Sequence, residues 1–151
     1  MKKIAIFCNS SNIDFQNYFK ALLKYNEDKT FVYLSNINVK RNLMEENKSI
    51  ITSSYTSNSF VDKYSILDFL LSFPLIIYLK FKRVKIVHFI SAHSSNIAQA
   101  LFARVLGIKV AFTIHDLVPH PDKKSKIIEI YNEFIIKYLG SYIVVHTSNH
   151  K

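Results

Sequence analysis

Val110-Ala111-Phe112-Thr113-Ile114, running directly into His115-Asp116, is the stretch on which the fold reading turns. An unbroken apolar or β-forming run of this length reads as a strand buried on both faces, the usual state of a strand in a parallel sheet. A loop with two prolines follows, Leu117-Val118-Pro119-His120-Pro121, and then a long amphipathic pattern. Open α/β sheets bind ligands outside the carboxyl ends of their strands. A His-Asp pair at such an end is therefore a candidate site.

Working outward, the same alternation recurs. Lys3 to Cys8 reads as a first strand, and Asn9-Ser10-Ser11-Asn12 as a polar turn. Ser11 with Asp14 resembles a capping box. Ile13, Phe15, Tyr18, Phe19, Leu22 and Leu23 then recur at helical spacing. Thr30 to Leu34 is rich in β formers. Asn36 to Lys63 is polar and holds at most a short strand near Ile50-Ile51. Ile66 to Phe81 reads as a strongly apolar helix, which Pro74 should kink or divide. Val84 to Ile90 is the next strand. Ser94-Ser95-Asn96 opens a helix carrying Ile97, Leu101 and Val105 at fourfold spacing, and Gly107 closes it as a C′ residue. Ile108 to Ile114 is a strand. Asp122 can cap a helix to about Leu139, with Ile127, Tyr131, Phe134, Ile135 and Tyr138 inward. Gly140 ends it, and Tyr142 to His146 is the last strand. Strands alternating with helices imply βαβ units. The expected fold is a Rossmann-like α/β domain over residues 1–151, a parallel sheet with helices on both faces.

A chain of 151 residues is one domain by length. Its 49% hydrophobic content can fill a real core. The single cysteine, Cys8, excludes an intrachain disulfide and suits a reducing compartment. The formal net charge of +9 favours anionic partners. Met1-Lys2-Lys3 is followed by an apolar run too short for a signal core. No segment has the ~20 apolar residues needed to span a bilayer. After Val144-Val145-His146, the residues Thr147-Ser148-Asn149 could cap a helix that does not follow. The expectation drawn from this is a truncated chain or the first part of a larger protein.

The stretches Lys85-Ile86-Val87-His88-Phe89, His93, Thr113 to Pro121 and Ile143-Val144-Val145-His146-Thr147 together resemble the amino-terminal domain of GT-B glycosyltransferases of family 4. The resemblance covers Lys85 to Lys151. It implies one half of a GT-B fold, in which the amino-terminal domain holds the acceptor and an absent carboxy-terminal domain binds the nucleotide-sugar donor. The implied function is the acceptor-binding half of a retaining glycosyltransferase in cell-surface glycan or polysaccharide synthesis, inactive alone. The implied partners are a nucleotide sugar and a glycan or lipid-linked acceptor. The family's glycine pair after the first strand is replaced here by Asn9-Ser10, although Asn tolerates positive φ.

His115 takes the place of the family histidine beside the cleft, and Asp116 can orient it, so these two are the expected catalytic residues. Asn9, Ser10, His93, His120 and His146 are the expected substrate-binding set. No metal is expected, because His115, Asp116 and His120 lack a zinc spacing. No cofactor is expected either, since neither a dinucleotide fingerprint nor a P-loop follows the first strand. Nucleic acid is not an expected partner, because the basic residues are scattered and no binding motif appears.

A second site lies elsewhere. Leu67, Phe69, Leu70, Leu71, Phe73, Leu75, Ile76, Ile77, Tyr78 and Leu79 are too apolar for an ordinary surface helix. Lys80, Lys82, Arg83 and Lys85 follow and could meet anionic headgroups. The competing reading is a core helix with a solvated basic end. The expected location is cytoplasmic, peripheral on the inner face of the plasma membrane. The alternative to an enzyme is a non-catalytic α/β module for an anionic partner or companion subunit.

Overall fold

The structure, a computed structural model, describes residues 3–8, 13–24, 30–34, 50–52, 65–115 and 126–146. Among these the strands are β1 (Lys3–Cys8), β2 (Thr30–Leu34), β3 (Ile50–Thr52), β4 (Val84–Phe89), β5 (Lys109–His115) and β6 (Tyr142–His146). The helices are α1 (Ile13–Lys24), α2 (Ser65–Phe81), α3 (Ser95–Val105) and α4 (Lys126–Phe134), and α4 continues into a wider π turn, Ile135–Leu139. The strands form one sheet in the order β3-β2-β1-β4-β5-β6, and every pairing is parallel. This is the doubly wound, Rossmann-like arrangement.

The core explains the unbroken apolar strands. Ala5 and Phe7 of β1 pack with Ile76 and Leu79 of α2, Ala100 and Ala103 of α3, and Tyr131, Ile135 and Leu139 of the last helix. Ile6 and Cys8 pack the other way, against Phe19 of α1. A strand covered on both faces cannot alternate apolar with polar residues. Three adjacent strands share an aromatic ladder. Phe7 pairs in register with Phe89, and Phe89 with Phe112. Their ring centroids lie 5.0 and 4.9 Å apart.

Three local expectations change. Pro74 does not divide α2, which runs continuously through it. In α3 the buried face is Asn96, Ala100 and Ala103, while Leu101 and Val105 are exposed. Small side chains let α3 lie close on the sheet, so the bulky residues at fourfold spacing are left outside. In the last helix Tyr131, Ile135 and Leu139 are buried, whereas Ile127, Phe134 and Tyr138 are exposed. Four-residue steps drift by about 40° each on an α-helix. The π turn reduces that drift at the end, so the stripe at 131, 135 and 139 keeps facing the sheet.

Two helices end on a left-handed residue. Gly107, after α3, has φ +70. Its N–H bonds to Arg104 O at 2.9 Å and the next N–H, of Ile108, bonds to Ala103 O at 2.8 Å, which is a Schellman close. Arg83 takes the equivalent conformation after α2, at φ 63. There an arginine occupies a backbone state that favours glycine.

Candidate functional site

The chain leaves β1 toward β3 and returns to β4, so the strand order reverses between β1 and β4. The carboxyl edge at such a reversal is the usual ligand position in sheets of this kind. β4 delivers its loop there, and the loop carries a dense group of buried polar side chains: Ser91, His93, Ser95, Asn96 and, one turn into α3, Gln99.

The hydrogen bonds of this group are specific. His93 Nδ1 accepts the Ser95 N–H at 3.3 Å and lies 2.7 Å from Ser95 Oγ. A ring nitrogen that accepts a backbone N–H carries no proton, so the network places the His93 proton on Nε2. The imidazole thus caps the first turn of α3, where Ser94 makes no side-chain cap bond. Asn96 Nδ2 donates to Ser91 O at 2.7 Å and to the Tyr131 hydroxyl at 3.0 Å. Burial pushes the Tyr131 phenol well above its ordinary range, against the hydrogen bonds from Asn96 and the His93 backbone. Tyr131 is therefore a neutral strut between α4 and α3. Gln99 is buried, and among the described residues neither of its amide atoms has a hydrogen-bond partner. A buried unpartnered polar group costs on the order of 1–3 kcal/mol.

The expected site residues separate. His93 is only 2% exposed and turned into the protein, so it does not line an open wall. His115 and His146 are the last residues of β5 and β6 and pair in register across the two strands at the carboxyl edge. Asn9, Ser10, Asp116 and His120 lie outside the described residues. Among the described residues no group of three or more His, Cys, Asp or Glu side chains could hold a metal ion. His88 is part-buried in β4, hydrogen-bonded to Thr113 Oγ1 at 2.8 Å. Residue pattern alone missed Ser95, Asn96, Gln99 and Tyr131. The polar run from Ser91 to Asn96, directly after an apolar strand, was the available signal.

The opposite, amino edge of the sheet is basic. In a βα unit the helices end where the next strands begin, so their final cations gather there. Lys80 and Arg104 lie in the last turns of α2 and α3, Lys82 and Arg83 follow α2, Lys85 is exposed on β4, and Lys109 opens β5. Lys80 Nζ donates to Leu106 O, joining the ends of α2 and α3. Lys82 Nζ sits 5.5 Å from the Tyr78 ring centroid. Lys109 donates to the Tyr142 hydroxyl at 3.0 Å, which raises its pKa.

No family model matches the chain, and no curated protein matches it. Among solved structures it is similar to a phenylacrylic acid decarboxylase from Aquifex aeolicus. The identity is 15%, the match covers 96% of this chain and 81% of that one, and the TM-score is 0.47. The expected kinship with GT-B glycosyltransferases of family 4 is corrected: no family model of that kind or any other matches the chain, and the similar solved structure is a decarboxylase. The glycosyltransferase function drawn from that kinship, with its nucleotide-sugar donor and its role in polysaccharide synthesis, falls with it. The physical reason lies in the fragments that carried the likeness. Apolar strands ending in histidine and running into polar loops suit the carboxyl edge of any parallel sheet of this order. At this level of similarity the neighbour's own activity does not transfer to this chain either.

Proposed function

We propose that this α/β domain is a peripheral module that docks on an anionic membrane surface through α2 and the basic segment after it. One observation carries the reading: the outward side of α2 is apolar where a surface helix should be polar. Leu70, Leu71, Pro74 and Tyr78 are exposed on it, with the partly exposed rings of Phe69 and Phe73 beside them against Phe102 of α3, and no charged residue lies between Phe69 and Leu79. Ser72, Ile76 and Leu79 supply the buried side. The exposed run leads directly into Lys80, Lys82, Arg83 and Lys85. An apolar face with adjoining cations is the composition of an interfacial helix. Among the described residues no helix is long and apolar enough to cross a membrane. The α4 helix offers a contrast: its exposed isoleucines are interrupted by Glu129 and Glu133, which an anionic surface would repel.

Vesicle flotation tests this. The protein should float with phosphatidylcholine vesicles that contain phosphatidylserine and stay behind with phosphatidylcholine alone. Salt should weaken the binding. Changing Lys80, Lys82, Arg83 and Lys85 together to Gln should lower affinity by roughly 10²-fold, given about 1 kcal/mol per cation near such a surface and the contacts that already occupy Lys80 and Lys82. Failure to float with phosphatidylserine vesicles at low salt would overturn the proposal.

A further inference from the structure

We infer that the part of the module entering the lipid is a two-helix tip, Phe81 from α2 and Val105 from α3, so that the amino edge of the sheet faces the membrane and the carboxyl edge faces away. This rests on the membrane-docking reading of α2 and specifies its tilt: the exposed side of α2 enters obliquely, with its carboxyl end deepest and Leu70 no deeper than the headgroup layer.

The tip is visible only in three dimensions. Phe81 and Val105, at 82% and 80% exposed, are the two most exposed large apolar side chains described. They lie far apart in sequence, yet each ends its helix, and the Lys80–Leu106 bond ties those ends together. Lys80, Lys82, Arg83 and Lys85 lie at the same edge, joined by Arg104, which bonds to Leu139 O, and Lys109, which bonds to the Tyr142 hydroxyl. Exposed apolar side chains and cations at one edge match the composition of a lipid headgroup layer, with hydrocarbon beneath and phosphate above.

The backbone at Arg83 points the same way. Arg83 holds a left-handed conformation that glycine would adopt at less cost, as Gly107 does at the end of α3. Backbone strain of this kind clusters where function holds a particular side chain in place. Here the side chain is a cation beside the exposed Phe81.

Geometry distinguishes a tip from a helix lying flat. Leu70 is eleven residues before Phe81, about 16 Å along the helix axis at 1.5 Å per residue. A flat helix would put both at one depth. A tip puts Phe81 and Val105 deep and Leu70 shallow.

The test combines depth and affinity on vesicles containing phosphatidylserine. Cys8 is buried, so cysteines introduced singly at 70, 81 and 105 can be labelled selectively with an environment-sensitive fluorophore. Labels at 81 and 105 should shift to the blue on vesicle addition and be quenched by lipid-borne quenchers, and the label at 70 much less. Phe81→Ser and Val105→Ser should each weaken flotation by roughly tenfold or more, on the scale of burying one large apolar side chain. Arg83→Gly should melt at a higher temperature yet bind vesicles more weakly. A label at 70 as deep as that at 81, with 105 silent, would overturn the tip and leave flat docking standing. Unchanged or tighter binding by Arg83→Gly would remove the cation's role and count against the tip. No vesicle binding by the unmodified protein would overturn tip and docking together.

Discussion

Replacing Phe89 with alanine should destabilise the fold by about 3–5 kcal/mol, the range for removing a buried phenylalanine. Phe89 is the middle rung of the ladder that joins β1, β4 and β5, stacked on Phe112 and tilted against Phe7. It is only 1% exposed, and backbone pairing with β1 and β5 on both sides of β4 limits collapse into the void. Domain stabilities are themselves about 5–15 kcal/mol, so the variant should lie close to its unfolding threshold at room temperature. Denaturant unfolding followed by circular dichroism measures the change. Phe89→Leu should cost clearly less, because it leaves a smaller cavity. A loss under about 1 kcal/mol for the alanine variant would mean that the three rings do not form the centre of the core. Phe89 is also the last residue of β4, so its packing anchors the strand from which the Ser91–Asn96 loop departs.

How much of this was legible in the chain depended on the kind of residue that decides each feature. The strands were legible as short apolar or β-forming runs: β1, covered on both faces, is apolar inside, and edge strand β6 is β-forming even though it exposes Tyr142, Val144 and Val145. Lys3–Cys8, Thr30–Leu34 and Tyr142–His146 stand where the residue pattern puts them, β4 ends one residue earlier than expected, and β5 is shifted by one residue at both ends. Helix faces were less legible. The face of α3 that meets the sheet is chosen by small residues, Ala100 and Ala103, and a search for large apolar spacing selects Leu101 and Val105 instead. The left-handed turn at Arg83 was hidden because its residue type argues against it. The histidines at the ends of β5 and β6 were legible as strand ends. The inward turn of His93 was not, since it depends on the ring accepting the Ser95 N–H. The family resemblance failed because strand-end histidines and polar loops recur wherever parallel sheets of this order do. The paired tip was beyond the reach of linear reading, because Phe81 and Val105 come to one edge only once α2 and α3 lie side by side.

Acid should reveal a second large effect, at His88. Its ring lies part-buried in β4 against Thr113, and burial lowers its pKa from 6.5 to about 4. The folded protein therefore keeps His88 neutral at a pH where the unfolded chain would protonate it. Between about pH 6.5 and pH 4 the unfolded state binds the extra proton, so stability rises with pH across that window. The contribution is complete above the unfolded value and is lost as pH falls toward the folded one. A difference of 2.5 units corresponds to about 3 kcal/mol at its limit, at 1.36 kcal/mol per unit. Other carboxylates and histidines titrate in the same range, so the comparison must be differential. His88→Gln keeps a group able to bond the Thr113 hydroxyl and removes the titration. The stability of the protein relative to this variant should fall by up to about 3 kcal/mol between pH 7 and pH 4. A difference that stays flat over that range would mean that His88 protonates as easily folded as unfolded, and that water reaches its ring across the open part of the sheet.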